Sequence, residues 1–177
     1  KRYMLTESGV SPRVFPGTGG AVVKASSYEH DEWGYTTEEQ GITVWMNDKR
    51  WAKVKAIAEE MDRIGAVRIK GAEKPALTIF GWGSTKGPIL EAMKLLGYEG
   101  IEARYVQVFC LSPFPTVRVR EALRGGGVSV VVENNKTAQL GSLICENLME
   151  DIEHKILKYD GRPFDPGELA ADLKGVL

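Results

Sequence analysis

Apolar positions along the chain fall into two regimes. From Lys74 onward they come either as short unbroken runs or at three- and four-residue spacing, with turn residues between. Ala76–Phe80 reads as a buried strand, and Pro88–Leu96 as a helix with Ile89, Ala92, Met93 and Leu96 on one face, stopped by Gly97. Ala103–Phe109 predicts a second strand, and Thr116–Leu123 a second helix ending at Gly125-Gly126-Gly127. Val128–Val132, apolar except for Ser129, predicts a third strand, and Gln139–Met149 a third helix. Ile156–Tyr159 predicts a fourth strand, and Pro166–Leu173 a short last helix. Strands and helices alternating at this spacing form βαβ units, hence a mostly parallel sheet covered on both faces. The predicted fold is α/β, a three-layer α/β/α domain.

The upstream residues follow no such period. In residues 1–41, Gly9, Pro12, Pro16, Gly17, Gly19, Gly20, Gly34 and Gly41 interrupt every apolar run. Tyr3, Leu5, Phe15, Trp33 and Tyr35 are nevertheless present, so this stretch reads as an extended arm that packs against its own domain or a partner. Residues 42–65 predict a helix, with Asn47 or Asp48 as its N-cap, Trp51, Val54, Ile57, Ala58, Met61 and Ile64 along it, and Gly65 as its stop. The expected organisation is an arm over 1–41 and an α/β domain over 42–177 that begins with this helix.

Composition removes several classes of function. In 177 residues, 23 basic side chains face 24 acidic ones, for a net charge of −1, which withdraws the electrostatic case for nucleic-acid or membrane-surface binding. No apolar run is long enough to span a bilayer, and no apolar leader stretch opens the chain. Cys110 and Cys145 stand without a CxxC, so neither a disulfide framework nor a zinc ribbon is supported, and a reducing cytoplasm is expected. The first residue is Lys1 rather than Met, which predicts a boundary within a larger subunit.

The strongest local signal is Gly81-Trp82-Gly83-Ser84-Thr85-Lys86-Gly87, between the first strand and its helix. Gly83, Ser84 and Thr85 are candidates for cofactor binding, because glycines admit a ligand to the backbone and free N–H groups attract anions. The alternative is that Ser84 or Thr85 merely caps the helix and Pro88 occupies its first turn. The spacing GxGxxxG is one residue longer than the dinucleotide fingerprint, and the next strand ends at Phe109-Cys110-Leu111 with no acid to hold a ribose. Leu111-Ser112-Pro113-Phe114-Pro115-Thr116 reads as a rigid turn presenting Phe114, with Thr116 as a helix cap. Glu133-Asn134-Asn135 closes the third strand; Glu133 could act as a general base, bind an amine, or hydrogen-bond neighbouring backbone. In a parallel sheet the loops at Gly83, Ser112 and Glu133 leave from the same edge. Glu29-His30-Asp31-Glu32 resembles a metal cluster, yet four consecutive residues cannot all face one ion, so no metal site is assigned. The chain contains neither a nucleophile elbow nor a Walker A sequence, and no catalytic residue is assigned.

Taken in order, Arg2-Tyr3, Leu5-Thr6-Glu7, Gly9-Val10-Ser11-Pro12-Arg13, Pro16-Gly17, Glu29-His30-Asp31-Glu32, Gly34, Lys49-Arg50, Trp82-Gly83-Ser84-Thr85, Pro113-Phe114-Pro115, Glu133-Asn134-Asn135 with Gln139-Leu140, and Lys158-Tyr159-Asp160-Gly161-Arg162-Pro163-Phe164 are familiar together. This series resembles the carboxyl-terminal half of the alpha subunit of 2-oxoacid:ferredoxin oxidoreductases, 2-oxoglutarate type, over essentially the whole chain. The resemblance implies a transketolase carboxyl-terminal-like domain within an enzyme that decarboxylates a 2-oxoacid, reduces ferredoxin and forms an acyl-CoA. It implies thiamine diphosphate, Mg²⁺, iron–sulfur clusters and CoA in the whole complex, with no cofactor assigned to this chain. Its implied partners are an upstream pyrimidine-binding domain of the same subunit, a beta subunit, and ferredoxin through the complex. What carries over is an interface role for the arm, with Arg13, His30 and Asp31, and for the sheet edge, with Phe114, Glu133 and Asn134. The competing reading is a free-standing α/β module that binds phosphate, CoA or a nucleotide at the Gly83 loop. A transketolase or dehydrogenase domain is disfavoured by the Arg2–Gly17 and Lys158–Phe164 segments.

Overall fold

A computed structural model describes all of residues 1–177, in two compact units, Lys1–Glu60 and Met61–Leu177. Helix α1 (Gln40–Ile64) runs through the division between them. It starts before the predicted 42 and well before the predicted caps. Thr37 Oγ1 accepts from Glu39 N at 3.1 Å, and Asn47 lies inside the helix, its Nδ2 donating back to Thr43 O at 2.9 Å. A side chain that can satisfy an i−4 carbonyl has no need to cap.

In the first unit the residues ahead of α1 form no strand beyond a single bridge between His30 and Thr36. Side chains staple them instead. Tyr3 N donates to Glu32 O at 3.0 Å, Leu5 N to Glu32 Oε1 at 2.9 Å, and Tyr3 Oη to Lys24 O at 2.8 Å. Arg50 on α1 makes a two-pronged pair with Glu29, and Lys49 Nζ donates to Tyr3 O at 2.7 Å. Gly9 sits on the α1 backbone with φ +72°, where a Cβ would lie 2.3 Å from Lys49 O. Only glycine fits that approach.

The second unit holds a five-stranded sheet in the order β1-β3-β2-β4-β5. Its strands are β1 (Val67–Gly71), β2 (Leu77–Gly81), β3 (Ala103–Val108), β4 (Val128–Glu133) and β5 (His154–Leu157). All pairings are parallel except β1 with β3, an antiparallel edge that periodicity from Lys74 onward did not reach. The segment Val67-Arg68-Ile69-Lys70 alternates, and only its partly covered Val67 joins a core cluster, the mark of an edge strand.

Helices α2 (Lys86–Tyr98) and α5 (Pro166–Lys174) pack on each other and cover one face. The cluster there includes Leu77, Ile79, Ile89, Leu96, Val130, Val132, Leu169 and Leu173. Helices α3 (Thr116–Leu123) and α4 (Gln139–Leu148) cover the other face with Phe80, Val106, Val108, Val119, Val131, Leu140 and Ile144. Consecutive β4 residues thus serve opposite layers, as the strand period of two requires. Each fully buried Val, Leu, Ile or Phe contributes about 1.5–3 kcal/mol. The expected α/β/α sandwich with a mostly parallel sheet is present, and strand and helix bounds agree within a few residues.

Candidate functional site

Parallel pairing sends the loops after β2, β3, β4 and β5 out of the same sheet edge. From β2 the chain passes through α2, on one face, to β3; from β4 it passes through α4, on the opposite face, to β5. The neighbouring ends of β2 and β4 are therefore the point where the connections diverge, leaving a gap between their loops. A cavity of about 260 Å³ lies there, lined by Trp82, Gly83, Ser84, Thr85, Asn134 and Asn135. A second hollow of about 510 Å³ shares Ser84 and Asn134 with it, and adds Lys158, Tyr159, Gly161, Arg162 and Pro163 from the loop after β5.

Glu133 builds the floor between the β2 and β4 loops. Its side chain is fully buried, and its oxygens accept from Leu140 N at 3.0 Å, Gly141 N at 3.1 Å, Asn135 Nδ2 at 2.7 Å and Trp82 Nε1 at 3.2 Å. Asn135 Oδ1 in turn accepts from Thr137 N and Gln139 N. The first amides of α4 are thus satisfied by a carboxylate from the preceding strand end, which also sees the helix dipole favourably. Of the alternatives for Glu133, the structure realises backbone hydrogen bonding; no exposed surface remains for a base, an amine ligand or an interface contact.

Gly83 and Ser84 face the crevice, whereas Thr85 is buried and its hydroxyl donates to Trp82 O at 2.9 Å. Neither Ser84 nor Thr85 caps α2 through its side chain, contrary to that expectation; a short 3₁₀ turn at Gly83–Thr85 leads into the helix. Thr116 is likewise the first residue of α3 rather than its cap. Asn134 is exposed, and its Nδ2 reaches Lys158 O and Arg162 O, both at 3.5 Å, joining the β4 and β5 loops. Phe114, beyond the cis Ser112-Pro113 bond, packs half-buried against the α3/α4 cluster. Lys158 and Arg162 were missed as site residues: Lys158 fell inside the predicted strand Ile156–Tyr159, whereas β5 ends at Leu157 and both residues belong to the loop that leaves this edge.

The first unit carries Arg13, His30 and Asp31. The His30 ring lies against Tyr3 with centroids 4.0 Å apart, and Asp31 Oδ1 accepts from Trp33 N and Tyr35 N, each at 2.9 Å. Glu29 turns to Arg50 and Glu32 to Lys1 and Leu5, so no two of the four consecutive residues share a partner among these. The Arg50 guanidinium holds the Glu29 carboxyl below the usual carboxylate range. Arg13 lies over the Phe15 ring at 4.9 Å. Phe15, Val22, Tyr28, Trp33, Tyr35, Trp45 and Trp51 are all exposed, and Leu5, Thr6, Trp45, Asp48, Lys49 and Ala52 line a hollow of about 410 Å³. No helix of the chain is long and apolar enough to cross a membrane.

The chain has relatives along its whole length. Over all 177 residues the chain is 36% identical to the alpha subunit of 2-oxoacid:ferredoxin oxidoreductase 2 from Aeropyrum pernix, of which it spans 27%. It is 35% identical, again over its full length, to the 2-oxoacid:ferredoxin oxidoreductase alpha subunit of Saccharolobus solfataricus, of which it spans 28%. Among solved structures it matches 2-oxoglutarate:ferredoxin oxidoreductase from Magnetococcus marinus, determined with 2-oxoglutarate, coenzyme A and succinyl-CoA bound. That match has a TM-score of 0.80 and 28% identity, over 98% of this chain and 30% of that one. The chain therefore spans under a third of each of these proteins. Residues 65–173, most of the second unit and more than half of the chain, match the transketolase C-terminal domain, and the chain belongs to that family.

Proposed function

We propose that this chain is the carboxyl-terminal portion of the alpha subunit of a thiamine-diphosphate-dependent 2-oxoacid:ferredoxin oxidoreductase, in which it serves assembly rather than bond making. The observation that carries this reading is the full-length similarity, arm included, to alpha subunits of such enzymes. The substrate is 2-oxoglutarate, supported by the Magnetococcus marinus structure, and the partners are an upstream domain of the same subunit, a beta subunit and ferredoxin. A cytoplasmic setting is in keeping with two unpaired cysteines.

The residues present do not fit the redox and diphosphate–metal groups of such an enzyme. An iron–sulfur cluster takes several thiolates, while Cys110 Sγ is engaged with Pro113 O and Cys145 stands alone on α4. No group of three or more His, Cys, Asp or Glu side chains gathers where it could hold a metal ion. No electron-transfer or decarboxylation step is therefore routed through this chain. The exposed aromatic residues of the first unit support the assembly role, because interfaces are enriched in such side chains.

The test is reconstitution of the alpha subunit with its upstream domain and a thiamine-binding beta subunit. The complex should co-purify and reduce ferredoxin only when 2-oxoglutarate and CoA are both supplied. Trp51→Ser, at a residue 71% exposed, should weaken co-purification without lowering the melting temperature of the chain. Failure of the wild-type subunits to associate would overturn the reading.

A further inference from the structure

We propose that the crevice between the β2, β4 and β5 loops binds the phosphate or diphosphate group of a small-molecule ester, held by Lys158, Arg162 and Ser84. This goes beyond the assembly role and does not depend on it. The two hollows meet at Ser84 and Asn134, and together they lie at the sheet edge where open α/β folds bind ligands. Their combined size is within the range of small-molecule sites.

The charge around the crevice is one-sided. Arg162 is exposed and its guanidinium has no protein partner, so its forked donors are free for an oxyanion. Lys158 Nζ lies 3.0 Å from Asp160 Oδ2, and Lys136 stands 5.8 Å from the centre of the Tyr159 ring, which lines the same hollow. Asp160 pairs with Lys158, and neither hollow is lined by an acid. Glu133, beneath the floor, already accepts four N–H groups and does not repel an incoming anion as an open carboxylate would. The Ser84 hydroxyl is exposed, makes no hydrogen bond within the protein and lines both hollows. Gly83, with φ +56° and no atom within 4 Å of a built Cβ, leaves the approach beside it open. Cations and a free hydroxyl around one hollow suit a tetrahedral oxyanion better than a neutral or cationic ligand.

Titration calorimetry of the full chain with sodium pyrophosphate tests the proposal, with CoA and ATP as separate arms to distinguish sources of the same chemistry. Wild type should bind pyrophosphate saturably at about millimolar concentration or below, and more weakly as salt rises. Arg162→Gln should lower the affinity about tenfold or more, and Lys158→Gln should also lower it. Arg118→Gln, which alters an exposed arginine paired with Asp62 on α1, should leave it unchanged. Melting temperatures of the Arg162 variant and wild type should coincide, since that exposed side chain makes no hydrogen bond, ion pair or ring contact. The tighter of the CoA and ATP arms identifies the natural class. Absence of saturable heat with all three probes at about 10 mM would overturn the proposal. So would equal affinities for Arg162→Gln and wild type. A third overturning result is loss of the beta subunit from Arg162→Gln in a complex that binds no pyrophosphate, because the cations would then serve a partner's carboxylates.

Discussion

Replacing Glu133 by alanine removes the oxygens that accept from Leu140 N, Gly141 N, Asn135 Nδ2 and Trp82 Nε1. The two side-chain donors are only half-buried and can turn toward water. The Leu140 and Gly141 amides are buried in the first turn of α4 and cannot. Each stranded buried donor costs about 1–3 kcal/mol, so the pair gives roughly 4 kcal/mol. That is a large part of the about 5–15 kcal/mol that holds an ordinary domain together. Glu133→Gln keeps the volume and one acceptor but turns an NH₂ toward donors, and should cost about half as much. Urea unfolding followed by far-ultraviolet circular dichroism should show midpoints falling at constant slope. Thermal midpoints should fall by about 2–4 °C per kcal/mol for a chain of this length, hence roughly 8–16 °C for the alanine variant. A loss below about 1 kcal/mol would refute the reasoning, and would return Glu133 to a ligand or partner that the free chain lacks.

Three other outcomes follow from particular atoms. The Tyr105 hydroxyl is buried without a hydrogen-bond partner, and burial pushes its pKa up to about 12. The fold thus favours the neutral phenol: its contribution is complete below the ordinary value of 10.0 and is lost as pH rises through about 12. Tyr105→Phe should abolish that alkaline loss and raise stability at pH 7 by up to about 1 kcal/mol; an unchanged alkaline loss in denaturant midpoints would refute it. Arg50 depresses the Glu29 carboxyl, so its staple is intact above the ordinary glutamate value and is lost as pH falls through the depressed one. Hydrogen exchange at Thr37 N, bonded to Glu29 O, should accelerate in that acid window relative to intrinsic rates, and Glu29→Gln should remove the dependence. Met149, 88% exposed, ends α4 in the left-handed region at φ 56°. Met149→Gly relieves about 1–2 kcal/mol of strain against about 0.5–1 kcal/mol of chain entropy, for a net gain of about 0.5–1 kcal/mol in urea midpoints.

The α/β core was legible because its residues obey one period at a time. Val128–Val132 is apolar on both faces because both faces are covered, and Ile89, Ala92 and Leu96 mark one side of α2. The edge strand Val67–Gly71 escaped notice because only its first residue is even partly covered, so its alternation competes with no buried surface. The start of α1 was misplaced because Asn47 and Asp48 have capping side chains that the helix does not use for capping. At the site, Gly83, Ser84 and Asn134 could be gathered from strand ends alone. Glu133 left its alternatives open, because its four partners come from the β2 loop, the β4 loop and α4. Arg162 and Lys158 required knowing that β5 pairs with β4, which places their loop beside Asn134.

The bond from the Trp82 indole to Glu133 has an optical consequence. Trp33, Trp45 and Trp51 lie in the first unit, and Trp82 is the one tryptophan of the second. Its ring borders the crevice while its N–H is fixed to a buried carboxylate, so its emission depends on both the solvent in front and the charge behind. A chain with phenylalanine at the other three positions would carry one fluorophore between the crevice and the first turn of α4. Anion entry would change its emission by displacing water, while loosening of that turn would do so by releasing the N–H. The same residue would then report crevice occupancy and helix integrity through one signal, with the Glu133 variants separating the two.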